Sequence, residues 1–203
     1  VLPDLTDVMR EHPKVVPSLD IPIQHISGNM LKAMRRGVSG EQVRGILERL
    51  RDEVPGIALR TTFIVGFPGE TEKDFDELAD FVADFEFERM GAFTYSHEEG
   101  TRAYELTDLV DPEVAEERRG ILMATQRDIH LHRNEQLIGK TMPVLIDGLD
   151  EDRETVVGRT TADAPEVDSI VRMAGNSGKA GDLVQAEIVA VDDYELRARV
   201  VSQ

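Results

Sequence analysis

The chain has 203 residues, 40 acidic and 23 basic, for a net charge of −17, and it has no cysteine. That length suits one large domain or two small ones. The missing cysteine excludes disulfides, zinc–thiolate sites and any iron–sulfur cluster ligated from within the chain, and the acidity argues against nucleic-acid phosphate as a partner.

A hydrophobic content of 40% is that of an ordinary folded protein. No apolar run approaches the roughly 18 residues that suggest a membrane span. The start Val1-Leu2-Pro3-Asp4 has neither the basic nor the apolar stretch of a leader. A cytoplasmic protein without membrane contact is expected. Val1 in place of a start methionine hints at processing or truncation.

In chain order, residues 15–21 read as a strand, and 28–36 and 39–53 as helices. Ser39 followed by Gln42 has capping-box spacing. Residues 58–65, centred on RTTFIV, form a strongly β-prone run that predicts a buried strand. In 71–85, Phe75, Leu78, Ala79, Val82 and Phe85 recur at helical spacing. Residues 89–95 read as a third strand, and 111–137 as a long helix with Pro112 in its first turn. Strands alternating with helices predict β-α units and a parallel sheet. Three strands are too few to close a barrel, so an open sandwich or the later half of a larger barrel is expected.

From about residue 136 the texture changes. Short β-prone stretches at 141–147, 155–160, 169–173, 183–191 and 195–201 are separated by turn signals at 148–152, 175–178 and 192–193. That pattern predicts a small antiparallel barrel. Two domains follow, residues 1–135 and 136–203.

In parallel α/β architectures the site forms at the C-terminal ends of the strands. Three loops qualify: Pro22-Ile23-Gln24-His25, Gly66-Phe67-Pro68-Gly69-Glu70, and Ser96 to Thr101. The second leads into a helix that Thr71 can cap. It reads either as a cradle for an anionic group, by its glycines and the helix N-terminus, or as a plain tight turn. Arg60 on a buried strand needs a partner, either a ligand carboxylate or an acid such as Asp20. His25 reads as a rim hydrogen-bonding group or, more commonly, a satisfied structural histidine. His130 and His132 are two apart on a helix, which is poor chelate spacing. No nucleophile–base pair and no metal site stand out.

Four stretches, in order, resemble the methylthiotransferase branch of radical S-adenosylmethionine (SAM) enzymes: LDIPIQHISGNMLKAMRRG (19–37), RTTFIVGFPGETEKDF (60–75), FTYSHEEGTRA (93–103) and RRGILMATQRDI (118–129). The second region resembles a TRAM domain. IPIQHIS and GRTTADAPEVDS (158–169) are similar to the RimO type, which modifies an aspartate of small-subunit ribosomal protein twelve. The tRNA-modifying MiaB type carries a QSGS-like sequence at the first place. Ser169 stands where glycine is usual, and Tyr194-Glu195-Leu196 replaces Tyr-Asp-Leu.

The resemblance implies an α/β fold, the later half of a radical SAM partial β/α barrel followed by a small antiparallel TRAM barrel. It implies a transferase that inserts a methylthio group at the aspartate β-carbon by radical chemistry. The cofactors would be SAM and 4Fe-4S clusters whose ligands lie outside this chain, since the family's Cys-x3-Cys-x2-Cys has no counterpart here. Gln24, Arg60, Thr62, Gly66 and Glu70 are the implied SAM-facing surface, with Tyr95 and Ser96 at the end of the third strand. The isolated chain is expected to be inactive, and a half barrel with exposed strand edges to be aggregation-prone. Two alternatives stay open: a MiaB-type tRNA enzyme, and a non-catalytic remnant that binds the ribosomal protein. Residues 136–203 hold 13 acidic and 7 basic side chains. That acidity favours a basic ribosomal protein over RNA as partner.

Overall fold

The computed structural model describes residues 3–150, 154–175 and 177–201. Glu151 and Asp152 of the first expected turn and Asn176 of the second lie outside the described residues. The chain divides after Arg127 into two compact units. No helix among the described residues is long and apolar enough to cross a membrane.

The first unit opens with helix α1 (Pro3–Glu11), where the apolar pattern predicts no element. Its stripe is weak: Met9 is buried, while Leu5 and Val8 stay exposed. Strand β1 (Ser18–Asp20) is shorter than expected, because Val15 and Val16 are exposed and only three residues pair. Central strand β2 (Ala58–Val65) pairs in parallel with β1 on one side and with β3 (Arg89–Thr94) on the other. Past β1 the chain touches β2 again: the Gln24 N–H donates to Thr62 O (2.9 Å), and Gln24 O accepts from the Ile64 N–H (2.8 Å).

Helices α2 (Gly28–Ala33), α3 (Gly40–Glu53) and α4 (Glu72–Phe85) connect the strands. Helix α2 stops short of the expected Arg36, because Arg35 and Gly37 take left-handed backbone (φ 56° and 66°). Ser39 and Thr71 close capping boxes with Gln42 and Asp74, satisfying N–H groups that a helix start leaves unpaired. Helix α5 (Pro112–Glu135) begins on Pro112, whose missing N–H costs nothing there.

Burial alternates along β2. Thr61, Phe63 and Val65 are buried, and Arg60, Thr62 and Ile64 half-buried. On the buried side Phe63, Phe81 and Phe87 meet edge-on, with centroids 5.7–6.3 Å apart. Such pairs contribute about 0.5–1.5 kcal/mol each beyond their buried area. On the other side of the sheet Phe93 remains 61% exposed.

The second unit is a closed barrel of β4 (Thr141–Leu149), β5 (Thr155–Arg159), β6 (Val171–Ala174), β7 (Leu183–Asp192) and β8 (Glu195–Val200), in the order β4-β5-β6-β8-β7. Its interior is filled by Val144, Ile146, Val156, Val171, Met173, Ala186, Ile188, Leu196 and Ala198. The expected antiparallel pairing holds at four seams, whereas β6 and β8 run parallel. Parity requires this. Directions alternate around an antiparallel ring, so a ring of five strands must contain a parallel neighbour pair. His130 is buried, with its Nε2 2.9 Å from Asn134 Nδ2 and 3.1 Å from Ser169 Oγ, while His132 is exposed.

Candidate binding cleft at the strand ends

The loops after β1 and β2 are joined by a buried polar network. His25 Nδ1 accepts from the N–H groups of Ile26 and Ser27, each at 3.0 Å. That nitrogen is therefore unprotonated, the ring proton sits on Nε2, and it is donated to Glu70 Oε1 at 3.1 Å. The other oxygen of Glu70 accepts from the Gly66 N–H and from Arg118 (3.0 Å). His25 and Glu70 have no exposed side-chain surface. Arg118 also lies over the Phe75 ring, 5.3 Å from its centroid. One carboxylate thus fixes the second loop to the first and to α5.

A second carboxylate does the same one turn on. Asp74 accepts from the hydroxyls of Ser27 and Thr71, both at 2.5 Å, and from Asn29 at 3.2 Å. Burial alone would raise its pKa. The hydrogen bonds from Ser27, Thr71 and Asn29 outweigh that and hold it at about 2.

Gly66 has φ +73°, and a Cβ added there would overlap the Cβ of Ala115. The glycine lets α5 approach the strand end closely.

At the rim lies a cleft of about 720 Å³, within the range of small-molecule sites. Of the residues singled out from sequence, Gln24, Thr62, Tyr95 and Ser96 line it together, and Arg60, Gly66 and Glu70 do not. Arg60 lies near the start of β2, in register with Asp20 and Arg89. Gly66 and Glu70 lie in the network behind the rim. Gln24 is presented by an unusual backbone, φ +76°. Tyr95 stacks edge-on against Phe67 at 5.1 Å, and its hydroxyl is buried without a hydrogen-bond partner among the described residues. The Ser96 hydroxyl donates to Glu98 (2.5 Å). Ile64, Phe67 and Phe93 supply apolar wall, and Arg35, Arg36 and Arg102 supply charge.

Sequence reasoning missed those three arginines, although they stand in MRRG and GTRA of the family-like stretches. It also missed the roles of Ser27, Asp74 and Arg118. Asp74 stands at cap spacing from Thr71, and Ser27 just past the first loop, whereas Arg118, inside α5, has no local signal. Among the described residues no His, Asp and Glu side chains gather as a metal site.

Comparison with known proteins fits this geometry. Residues 1–82 match the family model of the Radical SAM superfamily, and residues 138–201 that of the TRAM domain. The solved structure of coproporphyrinogen III oxidase (HemN) from Escherichia coli, a radical SAM enzyme, is similar over 93% of this chain and 44% of its own, with a TM-score of 0.50 at 14% identity. The fold is that of a radical SAM protein carrying a TRAM domain.

Two relatives narrow the class. Ribosomal protein uS12 methylthiotransferase RimO of Aquifex aeolicus (strain VF5) is 46% identical over 97% of this chain and 46% of its own length. RimO of Trichlorobacter lovleyi is 43% identical over 98% of this chain and 45% of its own. Over nearly its whole length the chain is similar to the RimO methylthiotransferases, and it spans under half the length of the curated relatives it matches.

Proposed function

We propose that this chain forms the later half-barrel and the TRAM domain of a radical SAM methylthiotransferase that modifies an aspartate of ribosomal protein uS12 in the cytoplasm. The observation that carries this reading is the 46% identity to a RimO protein over 97% of the chain.

The chain's own residues fit one cofactor and not the other. With no cysteine, it offers no ligands for a 4Fe-4S cluster. The cleft does suit SAM. It is large enough, it has an apolar wall for an adenine, and the buried Tyr95 hydroxyl lacks a partner that a ligand would supply. Gln24, Thr62, Tyr95 and Ser96 would hold the cofactor, with Arg60, Gly66 and Glu70 supporting from behind. Bound there, SAM supplies the methyl group and the means of hydrogen abstraction. The protein's part is to orient the reactants and exclude water. Glu70 and His25 keep the second loop in place for that task.

The TRAM barrel takes the protein substrate. Its 13 acidic and 7 basic residues suit a lysine- and arginine-rich ribosomal protein and repel RNA. The test is mass spectrometry of uS12 from cells lacking the gene, with and without a copy restored. Loss and recovery of the methylthio mass is expected. An unchanged uS12 with a change in tRNA would overturn the reading in favour of the MiaB type.

A further inference from the structure

The charge lining the cleft is opposite to that of the chain. The molecule carries 40 acidic and 23 basic residues, yet the cleft is lined by Arg35, Arg36 and Arg102 and by no aspartate or glutamate. Arg36 is committed to the protein, donating to Pro22 O at 2.6 Å. Arg35 and Arg102 are exposed, and their guanidinium groups have no hydrogen bond or ion pair with any described residue. The nearby acids Glu98 and Glu99 do not line the cleft; Glu98 is engaged by Ser96, and Glu99 lies 3.5 Å from the Tyr104 hydroxyl.

Two unpaired guanidinium groups in a net-negative protein mark a place where negative charge arrives from outside. SAM alone does not meet that need. Its sulfonium and ammonium outweigh its one carboxylate, so it brings net positive charge to a cleft that already holds three cations.

We propose that Arg35 and Arg102 form a clamp for the carboxylate of the acceptor side chain, so that the cleft selects an acidic acceptor residue over a neutral one. The proposal rests on the reading above that the acceptor is an aspartate of a ribosomal protein. It explains how a neutral acceptor such as a nucleobase is refused at this site. Without that carboxylate, the two arginines are left without a counter-charge.

Equilibrium binding tests it without turnover. The full-length protein carrying this chain is titrated with a labelled uS12 peptide holding Asp, or the near-isosteric Asn, at the acceptor position, and SAM binding is followed separately by dialysis. The Asp peptide should bind at least about tenfold tighter than the Asn peptide, the range of a charge-assisted hydrogen bond. Arg35→Gln and Arg102→Gln should each reduce that preference about tenfold, Arg102→Lys should retain part of it, and SAM affinity should hold. Both arginines are exposed and unpartnered, so neither change threatens the fold. Equal binding of the two peptides overturns the clamp and leaves the ribosomal-protein reading standing. So does a preference that persists in both Gln variants. Weakened SAM binding with the preference intact reassigns the arginines to the cofactor's carboxylate. Failure to bind either peptide overturns the ribosomal-protein reading and the clamp with it.

Discussion

Replacing Gly66 by alanine tests whether this glycine serves the packing of α5. Two costs follow from the structure. The backbone sits at φ +73°, where a side chain is strained by about 1–2 kcal/mol. The new methyl would meet the Cβ of Ala115, with the Ala115 Cα only 3.4 Å away. Neither atom can swing aside, as the end of a long side chain would, so overpacking adds about 1–3 kcal/mol. Gly66→Ala should therefore destabilise the first unit by about 3 kcal/mol. Ala115→Gly alone should cost about 1 kcal/mol through helix propensity. Combined with Gly66→Ala it should remove the overlap while leaving the φ strain, giving a coupling energy of about 1–2 kcal/mol. The assay is urea unfolding followed by the helical circular-dichroism band, because every helix preceding α5 lies in the first unit. A Gly66→Ala cost below about 0.5 kcal/mol, or a coupling energy near zero, would refute the packing argument.

Asp74 gives a pH signature. Its pKa in the fold is about 2, against 3.8 unperturbed, so folding favours the ionised form. The resulting stability, about 2 kcal/mol, is complete above pH 4 and is lost as pH falls from about 4 through about 2. Acid titration of stability should show that slope in the native protein and lose it in Asp74→Asn; equal slopes would sink the assignment. Glu70→Ala should cost about 3 kcal/mol, since it strands Arg118 beside a buried cavity and leaves the His25 proton unaccepted. Thermal unfolding of the variant reads this directly, and a cost under about 1 kcal/mol would mean that the network does not hold the loop.

Elements whose signal is local were readable from sequence. The β-branched run of β2, the capping box at Ser39 and the helix cap at Thr71 depend on neighbours within a few residues, and they occur where pattern places them. The cleft is legible only in part. Gln24 and Ser96 stand in loops that the strand-end rule selects, because that rule needs only strand direction, whereas Thr62 and Tyr95 come from the family resemblance. Glu70 shows the limit. A carboxylate at a strand end looks like a ligand group, and only the fold brings His25, 45 residues away, and Arg118, 48 residues away, to satisfy it. Arg35 and Arg102 are 67 positions apart, and nothing local in either stretch announces that they border one cavity. The parallel seam of the barrel was hidden for another reason: strand patterns report faces and not partners.

That seam has a kinetic consequence. Cut the barrel between β6 and β8 and what remains is a fully antiparallel ribbon, β6-β5-β4-β7-β8, whose pairings survive the cut. The joint itself registers only Val171 with Leu196 and Arg172 with Arg197, while β7 and β8 share six register pairs. The ring therefore behaves as a rolled ribbon fastened by a short clasp, which closes last on folding and opens first under native fluctuation. In hydrogen exchange the Leu196 amide, bonded to Ile170 O at 3.0 Å, should trade its proton ahead of the Ile188 amide, which donates to Lys140 O at the same distance. The reverse order would mean that the ring opens elsewhere. Whatever docks across the clasp would lock the ribbon into its circular form, so a bound partner should be felt first as slowed exchange at that one joint.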